Sequence, residues 1–111
     1  MKEIEEALRG LGVDPTYCGF RRLVLALELA LENEDRLCAV TKEIYYDVGR
    51  LTGCTWSAVE RSIRTVVGHV WQSNPERLAE MADHTMKRQP TASQFLDIVT
   101  SYIRRNRERP M

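Results

Sequence analysis

The sequence lacks most features that mark a secreted or membrane-bound protein. Only three of its 111 residues are cysteines, Cys18, Cys38 and Cys54, an odd number at wide spacing. Such cysteine usage is typical of a reducing compartment and not of a disulfide-linked fold. The N-terminus has no signal-peptide pattern, and the most apolar stretch, Leu23–Glu32, contains Glu28 and is too short to cross a bilayer. We therefore expect a cytoplasmic protein without a membrane segment.

The chain is equally poor in the patterns that mark enzymes and metal proteins. Its two histidines, His69 and His84, do not stand beside cysteines at the short spacings of a zinc site. There is no glycine-rich phosphate loop and no nucleophile–base pair at a suggestive spacing. We expect no catalytic activity, no metal and no cofactor.

There is no excess of charge of either sign, since 16 basic residues balance 16 acidic ones. A zero net charge by itself argues against a nucleic-acid-binding protein. The charges are unevenly distributed, however. Residues 1–35 hold four basic and eight acidic side chains, residues 36–72 hold five and three, and residues 73–111 hold seven and five. Because local potential steers a polyanion, the basic part of the chain keeps nucleic acid among the candidate partners.

Helical periodicity fills the chain and strand signals are nearly absent. With 43% hydrophobic residues, residues 1–111 can form one core, so we expect a single all-α domain of about six helices. The predicted helices are a first one ended by Gly12, Phe20–Glu32, one starting at a Thr41 N-cap, about 57–71, Pro75–Ala82, and a last one opened by the capping box Thr91–Gln94.

The same helical pattern predicts which individual residues are buried. Phe20–Glu32 is apolar on nearly all sides and should lie in the middle of the fold. Ile44, Val48 and Leu51 should form one buried face, and Trp71 should anchor the core. Tyr45 and Tyr46 are adjacent, so only one of them can face inward. The basic tail at residues 104–109 is predicted to be a frayed, solvated helix end.

Residues 41–71 have the organisation of a helix-turn-helix, with the short link TGCT between two amphipathic helices. In the stretch WSAVERSIRTVV the core face holds Val59, Ile63, Val66 and, one turn beyond the stretch, Val70. The opposite face holds Ser57, Glu60, Arg61, Arg64 and Thr65. In a DNA-binding helix-turn-helix the N-terminal part of the second helix touches base edges.

This residue pattern assigns candidate contacts to DNA. Arg61 and Arg64 each have a guanidinium group that can donate two hydrogen bonds to the O6 and N7 atoms of a guanine. Glu60 could accept a hydrogen bond from a cytosine amine or hold Arg64 one turn away, and Thr65 could touch a thymine methyl or a phosphate. Helix starts favour phosphate through their backbone N–H groups. The phosphate-contact candidates are Thr41, Lys42, Thr55, Trp56 and Ser57 at helix starts, and Lys87 and Arg88 in a loop.

A different interpretation stays open at this point, because helix-turn-helix units also occur as plain packing units. In that reading the chain is a helical protein-interaction or oligomerisation module. Its acidic first third would be the contact surface, and the arginine face would only be solvated. The salt dependence of binding distinguishes the two, since a DNA-binding protein releases counterions.

Several segments together resemble one family. They are LGV, GF and Ala26 within Leu11–Ala26, TKEIYYDVG at Thr41–Gly49, VERSIR at Val59–Arg64, VW at Val70–Trp71, and PTASQF at Pro90–Phe95. They are similar to the C-terminal DNA-binding effector domain of the stage-zero sporulation response regulator family. The similarity runs from about residue 7 to residue 105.

The resemblance implies a bacterial all-α transcription regulator domain. It implies that the helix 57–71 enters the major groove of double-stranded DNA at a TGTCGAA-like promoter box, with Glu60, Arg61 and Arg64 on the base-facing positions. It further implies head-to-tail pairs on tandem boxes and contact with the sigma subunit of RNA polymerase.

The chain departs from the family pattern in and just before the second helix of the helix-turn-helix. The family commonly has histidine at the position of Thr65, proline or alanine at Trp56, and arginine at Ala58. The family protein also carries a receiver domain, whose alternating strands and helices are not seen in this sequence. We expect an isolated effector domain or a free-standing homologue, with phosphorylation control not encoded in these residues.

Overall fold

A computed structural model describes residues 2–108. The helices are α1 (Lys2–Gly10), α2 (Phe20–Glu32), a 3-10 helix (Glu34–Ala39), a π-helical segment (Thr41–Tyr45), α3 (Tyr46–Thr52), α4 (Trp56–Ser73), α5 (Pro75–Ala82) and α6 (Ala92–Glu108). The described range contains no strand. The predicted all-α domain of about six helices is confirmed, and within this range no helix is long and apolar enough to cross a membrane.

The fold is built around α2, as its apolar composition predicts. Its residues Leu23, Ala26, Leu27 and Ala30 are fully buried. The helix contacts α1, α3, α4 and α6, as well as the 3-10 and π-helical segments. One side of α4 and one side of α6 complete the core against it, because both helices are amphipathic.

Helix ends follow local chemistry that the sequence contains. Gly12 has a φ of +85°, and the N–H of Val13 donates to the carbonyl of Leu8 at 2.9 Å, which together end α1 in a Schellman turn. Thr91 and Gln94 form the predicted capping box reciprocally. The Thr91 hydroxyl accepts from the Gln94 N–H at 3.1 Å, and the Gln94 side chain accepts from the Thr91 N–H at 2.9 Å.

The prediction that Thr41 caps a helix was wrong. The helical turns begin at Glu34, directly after Asn33, whose side chain accepts a hydrogen bond from the Asp35 N–H. Val40 already has helical angles, so Thr41 lies inside a helical run. The reason is that Asn33 supplies the cap, and Leu37 and Val40 pack against the core.

The predicted burial of Leu51 was also wrong, although Ile44 and Val48 are buried as expected. Leu51 is 61% exposed. Thr52, one full turn after Val48, takes the half-buried position instead, and its hydroxyl donates to the Val48 carbonyl at 2.7 Å. The chain then turns away at Gly53, which leaves Leu51 on a neighbouring, solvated face.

The basic tail is anchored as far as the structure describes it, which corrects the prediction of a frayed end. Arg104 donates to the Ala30 carbonyl at 2.5 Å, and Arg105 donates to the Met81 carbonyl at 2.5 Å. These carbonyls belong to the last turns of α2 and α5, which carry partial negative charge. Arg107 pairs with Glu3 on α1 at 2.6 Å. Arg109, also part of that prediction, lies outside the described residues.

Candidate nucleic-acid interface

The link between α3 and α4 is short and fixed by its own residues. Gly53 ends α3 with a φ of 72°, in the left-handed region that glycine adopts without strain. Thr55 is extended, and its hydroxyl accepts from the Ala58 N–H at 3.2 Å. Thr55 is therefore the cap that starts α4, and Ser57 lies inside the first turn.

A second glycine allows the two helices to come close, and sequence reasoning missed it. A Cβ atom at Gly49 would lie 2.6 Å from the carbonyl oxygen of Cys54 in the link. The Cys54 N–H also donates to the Gly49 carbonyl at 2.9 Å. The available signal was an isolated glycine inside a helical pattern, which often marks a close backbone approach.

The inner face of α4 is formed as the periodicity predicts. Val59, Ile63, Val66 and Val70 are all buried, and Val67 is buried beside them. Trp71 is half-buried and packs against the core cluster. This burial fixes the rotation of α4 about its axis, so the opposite face is held toward solvent.

The outer face presents two arginines in different states. Arg61 is exposed, and its guanidinium has no ion-pair or hydrogen-bond partner among residues 2–108. Arg64 is 59% exposed in its side chain and pairs with Glu60, one turn earlier, at 3.1 Å. The Glu60 side chain is only 26% exposed, so the carboxylate is a support for Arg64 more than a free acceptor.

The surroundings of Glu60 agree with its low exposure. Burial raises the pKa of the nearby Tyr45 hydroxyl to about 12, and the negative charge of Glu60 adds to the effect. The π-helical segment that contains Tyr45 packs against α4, and a nearby carboxylate disfavours the charged tyrosinate form. Of the two roles that the sequence left open for Glu60, this geometry favours holding Arg64.

Thr65 keeps part of its bonding capacity for a ligand. Its hydroxyl donates to the Arg61 carbonyl at 2.9 Å within the helix. The hydroxyl oxygen still has lone pairs that accept hydrogen bonds, and the side chain is exposed. It therefore offers a methyl group and an acceptor to the solvent side of α4.

Two loops border the outer face of α4. The α1–α2 loop approaches it at Ser62, whose Cβ atom would lie 2.8 Å from a Cβ added at Gly19. The Ser62 hydroxyl also accepts a hydrogen bond from the guanidinium of Arg22, in α2, at 2.7 Å. The loop between α5 and α6 approaches Gly68, where an added Cβ would lie 3.8 Å from the Gln89 amide nitrogen. Lys87 and Arg88 are exposed in this second loop.

The other residues predicted to contact phosphate differ in their position relative to a helix start. Thr55, Trp56 and Ser57 lie together at the start of α4. Thr41 and Lys42 are exposed, but they lie within a helical run, so the argument from free backbone N–H groups does not apply to them.

An arginine on α3, Arg50, was missed. It pairs with Asp47, which also accepts from Arg36 at 3.0 Å. The two guanidinium groups, Arg36 first, hold the pKa of the Asp47 carboxyl below its usual value. Three ionic groups thus leave one net positive charge beside the link, and the sequence signal was the i, i+3 spacing of Asp47 and Arg50.

No group of three or more His, Cys, Asp or Glu side chains that could hold a metal ion occurs within residues 2–108. The three cysteines are free thiols. The arginine and lysine side chains that the described residues expose on α4 and in the loop between α5 and α6 are those of Arg61, Arg64, Lys87 and Arg88.

One comparison with known families gives a match. The model of the family described as "Sporulation initiation factor Spo0A C terminal" matches residues 4–103 of the 111-residue chain. The matched range begins in α1 and ends in α6, so it includes the α3–α4 unit and both bordering loops. It supports a DNA-binding effector domain of a sporulation regulator that controls transcription.

Proposed function

Because the chain belongs to the family of C-terminal domains of sporulation initiation factor Spo0A, we propose that it is a sequence-specific DNA-binding domain whose α4 enters the major groove of a TGTCGAA-like promoter box. In this proposal α3 and α4 are the two helices of a helix-turn-helix. The domain acts in the bacterial cytoplasm and has no catalytic role.

The observation that carries the proposal is the outer face of α4. An unpaired Arg61 and a Glu60-supported Arg64 stand one turn apart in the N-terminal half of a helix whose rotation the core fixes. A guanidinium fork can donate two hydrogen bonds to guanine O6 and N7. Arg61 and Arg64 are therefore the proposed base readers, Glu60 positions Arg64, and Thr65 contacts a thymine methyl or a phosphate.

Phosphate contacts are proposed for the residues around that face. Thr55, Trp56 and Ser57 act at the start of α4, where free N–H groups favour anions. Arg88 acts from the loop beside Gly68. Thr41 and Lys42 are proposed to act through their exposed side chains instead of their backbone.

Two partners beyond a single box are part of the proposal. A single module buries only about 600–1,000 Å² of protein surface on DNA, so its affinity for one box is modest. Head-to-tail pairs on tandem boxes would raise the affinity by linked binding. The sigma subunit of RNA polymerase is proposed as the protein partner at the promoter.

The test is fluorescence anisotropy with a TGTCGAA duplex and a scrambled duplex at two salt concentrations. Arg61→Ala is expected to weaken binding to the box about 5- to 150-fold, the equivalent of one bidentate arginine–guanine contact. Arg9→Ala removes the same charge from α1, which packs against α2 and α6, and serves as the matched control.

The outcomes separate the proposed function from its alternative. A preference for the box that Arg61→Ala removes and Arg9→Ala keeps supports the proposal. Binding that falls steeply with salt but shows no preference means that Trp56 and Thr65 have changed the target box. Absence of binding to either duplex at low salt would leave the protein-interaction module as the better reading.

A further inference from the structure

Two exposed aromatic rings meet where α3 and α4 begin. Tyr46 is 53% exposed and Trp56 is 39% exposed. Their ring centroids are 6.2 Å apart and their planes are inclined by 45°. Because the adjacent Tyr45 fills the core position, Tyr46 is turned to the surface. Large aromatic side chains grouped in water are a feature of binding surfaces more than of inert ones.

The polar atoms of both rings are available to a ligand. Across residues 2–108, neither the Tyr46 hydroxyl nor the Trp56 indole N–H has a hydrogen-bond partner. Each ring combines an apolar body with a donor at its edge. A sugar–phosphate backbone has the complementary features, because its deoxyribose faces are apolar and its phosphate oxygens accept hydrogen bonds.

The charges around the rings are favourable to an anion. Arg50 follows Tyr46 by one turn, and its side chain is 77% exposed. Arg64 follows Trp56 by two turns on the same helix. The nearby carboxylates of Asp47 and Glu60 are both engaged by arginines.

We propose that Tyr46 and Trp56 together form a seat for the sugar–phosphate backbone of the duplex that α4 reads. The inference rests on the proposed function and adds Tyr46 as a binding residue that acts jointly with Trp56. In a helix-turn-helix the first helix crosses the DNA backbone, and Tyr46 opens that helix here. Backbone contacts fix register and orientation without reading sequence, so the pair strengthens binding to every duplex.

The first experiment measures affinity for the box duplex and the scrambled duplex in Tyr46→Ala, Trp56→Ala and the double variant. Each single variant is expected to bind both duplexes about three- to tenfold more weakly, the equivalent of one neutral hydrogen bond with its ring contact. The ratio of the two affinities stays unchanged. The slope of log affinity against log salt also stays unchanged, because no charge is removed.

The double variant tests whether the rings act as a unit. Its loss is expected to be smaller than the product of the two single losses, since each ring orients the other. Leu51→Ala is the matched control, because Leu51 is an exposed apolar residue of α3 outside the pair, and it should bind like the wild type.

A second readout locates the contact directly. The chain has two tryptophans, so Trp71→Phe leaves Trp56 as the single fluorophore. Saturating duplex is expected to shield Trp56 from acrylamide quenching, and the Tyr46→Ala change in that background should reduce the shielding.

Three results would overturn the inference. The first is alanine variants that bind like Leu51→Ala, with Trp56 quenching unchanged by DNA. The second is a loss confined to the box duplex, which would make the pair a base reader. The third is a wild type that binds neither duplex, because this defeats the proposed function and the inference with it.

Discussion

At the scale of single residues, the outer face of α4 depends on a carboxylate that the helix keeps half-buried. Glu60 helps to raise the pKa of Tyr45 and pairs with Arg64 at 3.1 Å. An isolated helix would let both long side chains sample many rotamers. The packed surroundings restrict Glu60, and through it they restrict the guanidinium that is proposed to read a base.

Replacing Glu60 by glutamine separates its charge from its shape. Loss of one negative charge strengthens binding to all DNA, so the informative quantity is the ratio of box to scrambled affinity. We expect Glu60→Gln to lower that ratio about three- to tenfold because Arg64 is less ordered. Anisotropy with both duplexes measures it, and Glu80→Gln, which removes a carboxylate paired with Arg77, is the control. An unchanged ratio would show that Glu60 does not position Arg64.

Gly49 and Gly68 give a second prediction at this scale. A Cβ at Gly49 would collide with the Cys54 carbonyl at 2.6 Å, whereas at Gly68 the nearest atom is at an ordinary 3.8 Å. Gly49→Ala is expected to lower the free energy of unfolding by about 1–3 kcal/mol. Gly68→Ala is expected to raise it by about 0.5–1 kcal/mol, because alanine favours the helix. Urea unfolding of both variants measures the difference, and a destabilised Gly68→Ala would contradict the space assigned to that position.

At the scale of elements, α6 caps other helices with arginines. The Arg104 guanidinium donates to the carbonyls of Ala30 and Leu31 at the end of α2 and pairs with Glu34 at 3.3 Å. Carbonyls at a helix end have no partner within their own helix. The contact therefore ties α2, the 3-10 helix and α6 together, and it orients α2, against which α4 packs.

Arg104→Met keeps the length of the side chain and removes its charge and donors. We expect it to lower the free energy of unfolding by about 1.5–3 kcal/mol, the range for hydrogen bonds to charged groups. Arg107→Met removes an exposed pair with Glu3 and should cost under about 1 kcal/mol. Chemical denaturation of the two variants compares them, and equal losses would argue against the capping role of Arg104.

At the scale of the whole molecule, ionisable groups set the pH range of stability. Hydrogen bonds and ion pairs lower the pKa values of Glu3, Asp14 and Asp47 in the folded state. Their contribution is present above the unfolded pKa values and is lost as the pH falls through the folded ones. Burial acts oppositely on Tyr45, whose pKa rises from 10.0 to about 12, so its contribution is present below pH 10 and is lost as the pH rises toward 12.

The loss of folding stability at alkaline pH can be assigned to one side chain, Tyr45. Tyr45→Phe is expected to remove about 1–3 kcal/mol of the stability loss between pH 10.0 and 12. The measurement is the free energy of unfolding by urea at steps across that range. Tyr46→Phe changes an exposed tyrosine and should retain the wild-type slope. An unaltered slope in Tyr45→Phe would mean that another group governs alkaline unfolding.

Much of the fold was predictable because its causes are local. The bounds of α2 and α5, the Thr91–Gln94 capping box, the Gly53 link and the inner face of α4 all depend on residues within a few positions of one another. Periodicity also predicted which side of α4 is exposed. The Thr41 cap failed because a stronger cap, Asn33, stands eight positions earlier, and the helical run extends back to it.

The amino-acid order already contained the helices, their caps and the arginine-bearing face of α4, because hydrogen bonds and side-chain contacts at i, i+3 and i+4 decide them. The remaining features required the folded chain. The charge of Glu60 comes near the Tyr45 hydroxyl, the Cys54 carbonyl requires a glycine at position 49, and Tyr46 meets Trp56. Arg104 caps a helix that ends more than seventy residues earlier. Each depends on packing between separate helices, which is fixed only when they bury their apolar faces together.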